Sequence, residues 1–147
     1  MTFTNGDSLP PCFVDTNILV YAYAGDDPKR SPAAQHLVEG LTRAGLLRTS
    51  TQVLQELFAT LTRKGGRRVT EQEALNYMDG LVRNPVTALD YPIIREAGLL
   101  SHAHSLSFWD SLIVVAAARS GARRLYSEDL QHGRKILGVE IVNPFRD

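Results

Sequence analysis

The sequence predicts an α/β fold in three layers, α/β/α, around a central, mostly parallel sheet of four to five strands. Three observations carry this expectation. Short apolar runs alternate with longer amphipathic segments along the chain, the rhythm of strands followed by crossover helices. Several of the longer segments are bracketed by start and stop signals. At 147 residues, with no internal repeat, low-complexity stretch or linker, the chain suits one domain with a sizeable core.

The elements follow in order. Cys12-Phe13-Val14 reads as a short buried strand ending at Asp15. Ser31 and Pro32 make an N-cap and first-turn pair for a helix to about Ala44, stopped by Gly45. Leu46 to Thr49 is a second strand. Ser50 or Thr51 can then cap a helix carrying Val53, Leu54, Leu57, Phe58 and Leu61 on one side, ending before Gly65-Gly66. Thr70 with Glu73 three residues on is a capping-box signature for a helix to about Val82. Val86 to Leu89 is a third strand, and Pro92 opens a helix through His102. Ser107 caps a helix to Ser120, with Gly121 at its end; Leu125-Tyr126-Ser127 and Val139 to Val142 complete the strands. Residues 12–147 are thus expected to form the single domain. Residues 1–11 form an N-terminal extension, expected to be a disordered tail or the product of a different start.

Composition narrows the function classes. Hydrophobic residues make up 44% and charged residues 22%, ordinary for a globular protein. No apolar run approaches the ~20 residues that span a bilayer. Met1 to Pro11 lacks the basic and apolar regions of a signal peptide, so no membrane role and a cytoplasmic location are expected. The lone cysteine, Cys12, excludes an internal disulfide framework, and its apolar neighbours Phe13 and Val14 mark a buried structural thiol. Sixteen basic residues balance sixteen acidic ones, which counts against bulk nucleic-acid binding. Local clusters stand out from that balance: Lys64, Arg67 and Arg68, then Arg123 and Arg124, then Arg134 and Lys135. Each by itself is ordinary solvated surface.

Carboxylates carry the chemistry. In parallel α/β sheets, ligands bind beyond the carboxyl ends of the strands. Asp15 immediately follows the first strand, and Asp129 lies two residues after the strand ending at Ser127. The pair therefore shares one sheet edge despite its separation in sequence. Asp110 stands in the first turn of Phe108 to Ala118, a segment apolar almost all round and hence buried. An acid there is a helix cap, favoured by the dipole, or a metal ligand. Glu56 lies beside the apolar stripe of its helix, where a solvated residue is the ordinary reading, yet it starts from a strand's carboxyl end and can reach the same edge.

Clustered carboxylates repel unless a cation neutralises them. Oxygen donors select Mg2+ or Mn2+ rather than zinc, and no His/Cys set at zinc spacing competes. His102 and His104 are two apart and read as surface residues; His36 and His132 have no partner in sequence. No Walker-type glycine loop is present, so triphosphate hydrolysis is not indicated.

Four segments together resemble a known family. Phe-Val-Asp15-Thr16-Asn17-Ile-Leu-Val-Tyr-Ala is similar to the opening motif of PIN domains, and Gln-Val-Leu-Gln-Glu56-Leu, Ser-Phe-Trp-Asp110-Ser-Leu-Ile and Tyr-Ser-Glu-Asp129-Leu-Gln-His-Gly resemble the other three. The similarity covers about residues 12 to 145, and the ending Val-Glu-Ile-Val-Asn-Pro-Phe resembles the VapC toxins of VapBC pairs. The resemblance implies a Mg2+- or Mn2+-dependent endoribonuclease, inhibited by a cognate antitoxin and often homodimeric. It makes Asp15 and Asp110 the principal metal ligands. Glu56 and Asp129 complete the acidic pocket, and Thr16, Asn17 and Ser127 support it. Under the same reading, Lys64, Arg67, Arg68, Arg123 and Arg124 would hold RNA phosphates. One departure is the extension before the first strand.

Two other readings compete. A haloacid-dehalogenase-type phosphatase needs a second Asp two residues after the first, and Asn17 stands there. A receiver-type binding domain needs an acidic pair and a late lysine that are not evident. A PIN-like module that binds RNA or a partner without cutting is the main non-enzymatic alternative; the presence of all four acids argues against it.

Overall fold

The computed structural model describes residues 9–63 and 69–146. Twelve elements follow one another: β1 (Cys12–Val14), α1 (Thr16–Ala24), α2 (Arg30–Ala44), β2 (Leu47–Ser50), α3 (Thr51–Leu61), α4 (Glu71–Leu81), β3 (Val86–Thr87), α5 (Tyr91–His104), α6 (Phe108–Arg119), β4 (Arg124–Tyr126), β5 (Lys135–Ile136) and β6 (Val139–Val142). The strands form one sheet in the order β3-β2-β1-β4-β6-β5. All pairings are parallel except β5 with β6. The three-layer expectation holds. The sheet has one strand more than the four to five expected, because the two-residue β5 pairs back onto β6 through a turn in which Leu137 and Gly138 take positive φ.

The central strand β1 is buried along its whole length, with Phe13 and Val14 fully enclosed. Continuous burial is what a parallel strand covered on both faces requires. Helix α6 crosses the sheet against β2, β4 and β6, and α5 packs on α6. Seven successive residues of α6, Ser111 to Ala117, are buried, so the all-round apolar composition is matched by all-round enclosure. Among the described residues no helix is long and apolar enough to cross a membrane. Cys12 is buried, and burial raises its thiol pKa above the ordinary value, as expected of a structural cysteine.

Most end signals act as read. Ser50 caps α3, accepting from the Val53 N–H. Thr70 and Glu73 form the full capping box of α4. Ser107 accepts from the Asp110 N–H at 3.0 Å at the start of α6. Two helix starts differ, and one element is new. Helix α2 begins at Arg30 without a Ser31 cap. Instead the Asp27 carboxylate accepts from the N–H groups of Lys29 and Arg30, and buried Ser31 accepts from the Asp27 N–H. Asp90 rather than Pro92 opens α5. Helix α3 closes at Leu61, before the Gly65-Gly66 pair as expected; the pair itself lies outside the described residues. The third difference is a whole element. Helix α1 has no counterpart in the sequence reading, because Ile18-Leu19-Val20 is buried and β-branched enough to hide any helical stripe.

Of the N-terminal extension, residues 9–11 are described and lead into β1 with the Arg123 N–H donating to the Pro11 carbonyl. The end of that extension is therefore fastened to the sheet rather than trailing from it.

Phe13→Ala should destabilise the protein by about 3–5 kcal/mol, whereas Thr70→Ala should cost only about 1 kcal/mol through loss of a cap. Urea unfolding followed by circular dichroism distinguishes the two; equal losses would contradict the placement of Phe13 at the centre of the core.

Candidate acidic site at the β1–β4 edge

Strand order decides where the site forms. From β1 the chain proceeds to β2 on one side and returns much later to β4 on the other. The carboxyl ends of β1 and β4 therefore flank a topological switch point, where a crevice opens in sheets of this kind. Val14 pairs with Tyr126, and the Asp15 N–H donates to the Tyr126 carbonyl at 2.9 Å. The register places Asp15 beside the loop that carries Ser127, Glu128 and Asp129.

Asp15 is 7% exposed. It ends β1 and caps α1, accepting from the Thr16 N–H at 2.8 Å, while its second oxygen accepts from the Ser127 hydroxyl at 2.8 Å. Burial raises its pKa from 3.8 to about 6; the Ser127 hydroxyl and Thr16 amide pull it down, and the charges of Asp129 and Glu56 push it further up. Desolvation outweighs the two hydrogen bonds, and the like charges work in the same direction as desolvation.

The next two residues reach one acid each. Thr16 donates through its hydroxyl to Glu56 at 3.0 Å. Asn17 donates through its amide to Asp129 at 2.9 Å and accepts from the Glu128 N–H. Ser127 closes the circuit, accepting from the Asp129 N–H while donating to Asp15. Glu56 and Asp129 line one cavity of about 350 Å³ with Thr16, Asn17 and Tyr21. Three of the four predicted acids are thus brought together, and the three predicted supporting residues are the ones that link them.

Asp110 is placed differently. Its carboxylate makes no hydrogen bond or ion pair with any described residue, and it does not line that cavity. Its half-exposed position in the first turn of α6 is tied to the site through a neighbour. The Gln52 amide donates both to Glu56 at 3.1 Å and to the Trp109 carbonyl at 3.2 Å. The capping expectation is half met: Ser107 takes the Asp110 N–H, and the carboxylate returns no bond.

Sequence reasoning passed over Gln52, Tyr21, Arg30 and Glu128. Gln52 sits one helical turn before Glu56, a spacing at which side chains meet, and that spacing was the available signal. Glu128 accepts from Arg30 Nε and from the Tyr21 hydroxyl, and the Arg30 guanidinium lies 5.8 Å from the ring centres of both Tyr21 and Phe145. These contacts anchor the Asp129 loop to α1, α2 and the C-terminal segment, and nothing local in the sequence announces them.

The basic residues fall elsewhere. Arg124 pairs in register with Cys12 and Glu140, and its Nε lies 3.9 Å from the Glu140 carboxylate. Arg123 and Arg124 therefore stand at the amino ends of the strands, across the sheet from the acids. This corrects their expected place beside the site: β4 is parallel to β1, so the start of one cannot meet the end of the other. Lys64, Arg67 and Arg68 lie outside the described residues. A larger cavity of about 600 Å³, bordered by His36, Arg124 and His132, opens between α2 and β6. It contains none of the four acids, so convergence of charge rather than size selects the site. His102 and His104 are exposed, as read.

The donors at the acidic edge are carboxylate, hydroxyl and amide oxygens, the hard set that suits a small divalent cation. Among the described residues no three His, Cys, Asp or Glu side chains already stand as a metal cage. Mg2+ and Mn2+ do not require one, since Mg2+ is usually held by one or two carboxylates with water completing the shell. The donor set fits such an ion.

Comparison with known proteins bears on the family and the fold. The profile of the PIN domain family matches residues 12–135. The chain is 34% identical to Ribonuclease VapC23 of Mycobacterium tuberculosis over 119 residues, covering 80% of this chain and 91% of that protein. Its fold superposes on Mycobacterium tuberculosis VapC20, a Sarcin-Ricin loop cleaving toxin, with TM-score 0.64 and 20% identity over 80% of this chain and 91% of the other. A toxin–antitoxin complex from Klebsiella pneumoniae gives TM-score 0.69 at 16% identity, covering 92% and 99%. On the family match over most of its length and the identity to a ribonuclease, this chain belongs to the PIN domain family, among the VapC ribonucleases.

Proposed function

We propose that the protein is a Mg2+- or Mn2+-dependent endoribonuclease, the toxin of a toxin–antitoxin pair, that cuts RNA at the edge bearing Asp15, Glu56, Asp110 and Asp129. One observation carries the reading. Asp15, Glu56 and Asp129 are gathered at the β1–β4 switch point by hydrogen bonds from Thr16, Asn17 and Ser127. Holding three acids together costs stability unless a cation is to be bound there. Asp110 completes the set in this reading because its carboxylate is not consumed by capping or pairing. Asp15 and Asp110 would be the principal ligands, with Glu56 and Asp129 binding directly or through water.

A bound divalent ion supplies Lewis-acid polarisation of the phosphoryl oxygen and a hydroxide nucleophile at neutral pH. The chain's own residues set its surroundings. Ser127 and the Thr16 N–H hold the Asp15 carboxylate in one orientation. Asn17 fixes Asp129, and Thr16 together with Gln52 fixes Glu56, each leaving oxygen lone pairs for a ligand. Such outer partners orient the ligands and keep them basic. Among the basic clusters, Lys64, Arg67 and Arg68 are the ones assigned to RNA phosphates, on the family resemblance, since Arg123 and Arg124 stand at the opposite edge of the sheet. An antitoxin partner is supported by the fold shared with the Klebsiella toxin–antitoxin complex. A homodimer is assigned to α5, where Tyr91, Ile94 and Leu99 stand exposed.

Asp15→Asn and Asp110→Asn should each lower Mn2+-dependent RNA cleavage by at least about a hundredfold, the equivalent of several kcal/mol of lost charge stabilisation. Asn17→Ala should weaken Mn2+ binding by about tenfold to a hundredfold. Gel-based cleavage and titration calorimetry measure these effects, and equal cleavage by wild type and both acid variants would mean a contaminating nuclease. In cells, expression should arrest growth, and Asp15→Asn should relieve the arrest.

The raised Asp15 pKa adds a test without RNA. Between 3.8 and about 6 the folded protein keeps a proton that the unfolded chain has released, so metal-free stability falls as pH rises through that window. The full effect is roughly 3 kcal/mol. Thermal unfolding in chelator should show this loss in wild type and a smaller one in Asp15→Asn. At neutral pH, Mn2+ should raise the wild-type midpoint well above any effect on the variant. A wild-type stability that climbs from acid to neutral pH in step with the variant would refute the assignment.

A further inference from the structure

Trp109 is the single tryptophan of the chain, and it is 65% exposed. On the first turn of an otherwise buried helix, this ring presents an aromatic face to solvent. Its backbone is held firmly. The Trp109 carbonyl accepts from the same Gln52 amide nitrogen that donates to Glu56, so the backbone that carries the ring is tethered to the acidic edge through one buried side chain. Phe108 packs edge-on against the indole, with centroids 5.3 Å apart and planes at 71°. One residue further on lies Asp110, whose carboxylate has no protein partner among the described residues.

We propose that Trp109 is a stacking platform for an unpaired RNA base next to the scissile phosphate, and so a determinant of which RNA is cut. The inference rests on the ribonuclease reading above. Single-stranded RNA is recognised largely through bases splayed out of the helix and stacked on aromatic rings. An indole offers the needed face, and beside its one T-shaped contact with Phe108 the ring stays open to solvent. Ser107 and Asp110 flank the Phe108-Trp109 pair. The Gln52 bridge from the Trp109 carbonyl to Glu56, with Asp110 the next residue in sequence, joins the turn that carries the indole to the acidic edge. Stacking tolerates any base, so the platform would select unpaired RNA over duplex and leave base identity to other contacts.

The lone tryptophan makes the test direct. Asp15→Asn protein, which does not cut, is titrated with a short single-stranded RNA while indole fluorescence and RNA anisotropy are followed together. Binding should quench the indole, and an oligonucleotide with an abasic site at the cleavage position should bind without quenching. Adding Trp109→Ala should weaken binding by about tenfold to a hundredfold, and Trp109→Phe should restore part of it. If RNA binds with the same affinity to Trp109→Ala, the stacking proposal falls and the ribonuclease reading stands. If no RNA binds to the Asp15→Asn protein at all, both fall. If Trp109→Ala leaves RNA binding intact but changes the mass found by light scattering, the ring is a contact between protein chains and the proposal is overturned.

Discussion

A carboxylate enclosed to 7% exposure next to two others sets the terms for the rest of the structure. An unpaired buried carboxylate is among the costliest groups a protein can hold. Asp15 is tolerated because both of its oxygens accept hydrogen bonds, one from the amino end of α1 and one from Ser127. The bond from Ser127 requires that β1 and β4 be adjacent, in parallel, and in the register that pairs Val14 with Tyr126. The sheet order, the site and the cost of the charge are therefore one arrangement seen at three scales.

Helix α1 is the economical part of that arrangement. Its cap is the buried acid, and its first two residues, Thr16 and Asn17, reach acids on α3 and on the loop after β4. Three consecutive residues thus connect three elements that are distant in sequence. The amino end of a helix also favours nearby negative charge, which offsets part of the repulsion. On the opposite flank, Gln52 joins α3 to the start of α6 and carries a buried carbonyl oxygen without a partner among the described residues. That residue is the mechanical link between Glu56 and the turn bearing Trp109 and Asp110.

The fold was largely legible because its signals are local. Caps at Ser50, Thr70 and Ser107 depend on a side chain and an amide three residues away, so sequence spacing is sufficient to find them. Helix α1 was hidden for the complementary reason. Enclosure on all sides removes the polar face whose periodicity marks a helix, and its cap, Asp15, was already read as the end of a strand. At α2 the capping acid lies at Asp27, upstream of the serine that composition suggested.

The site divides in the same way. Residue order by itself determined that Asp15 and Asp129 end parallel strands and share an edge, because in a parallel sheet all carboxyl ends point one way. It also determined the resemblance that joined Glu56 and Asp110 to them. Tertiary structure alone decided which of these acids touch a common frame, since that depends on strand order and on bonds spanning 40 to 112 residues. It set Asp110 apart from capping, moved Arg123 and Arg124 to the far edge, and tied Trp109 to Glu56 through Gln52. Such facts are absent from the sequence because charge and distance act through space, and the chain's order does not contain the distances.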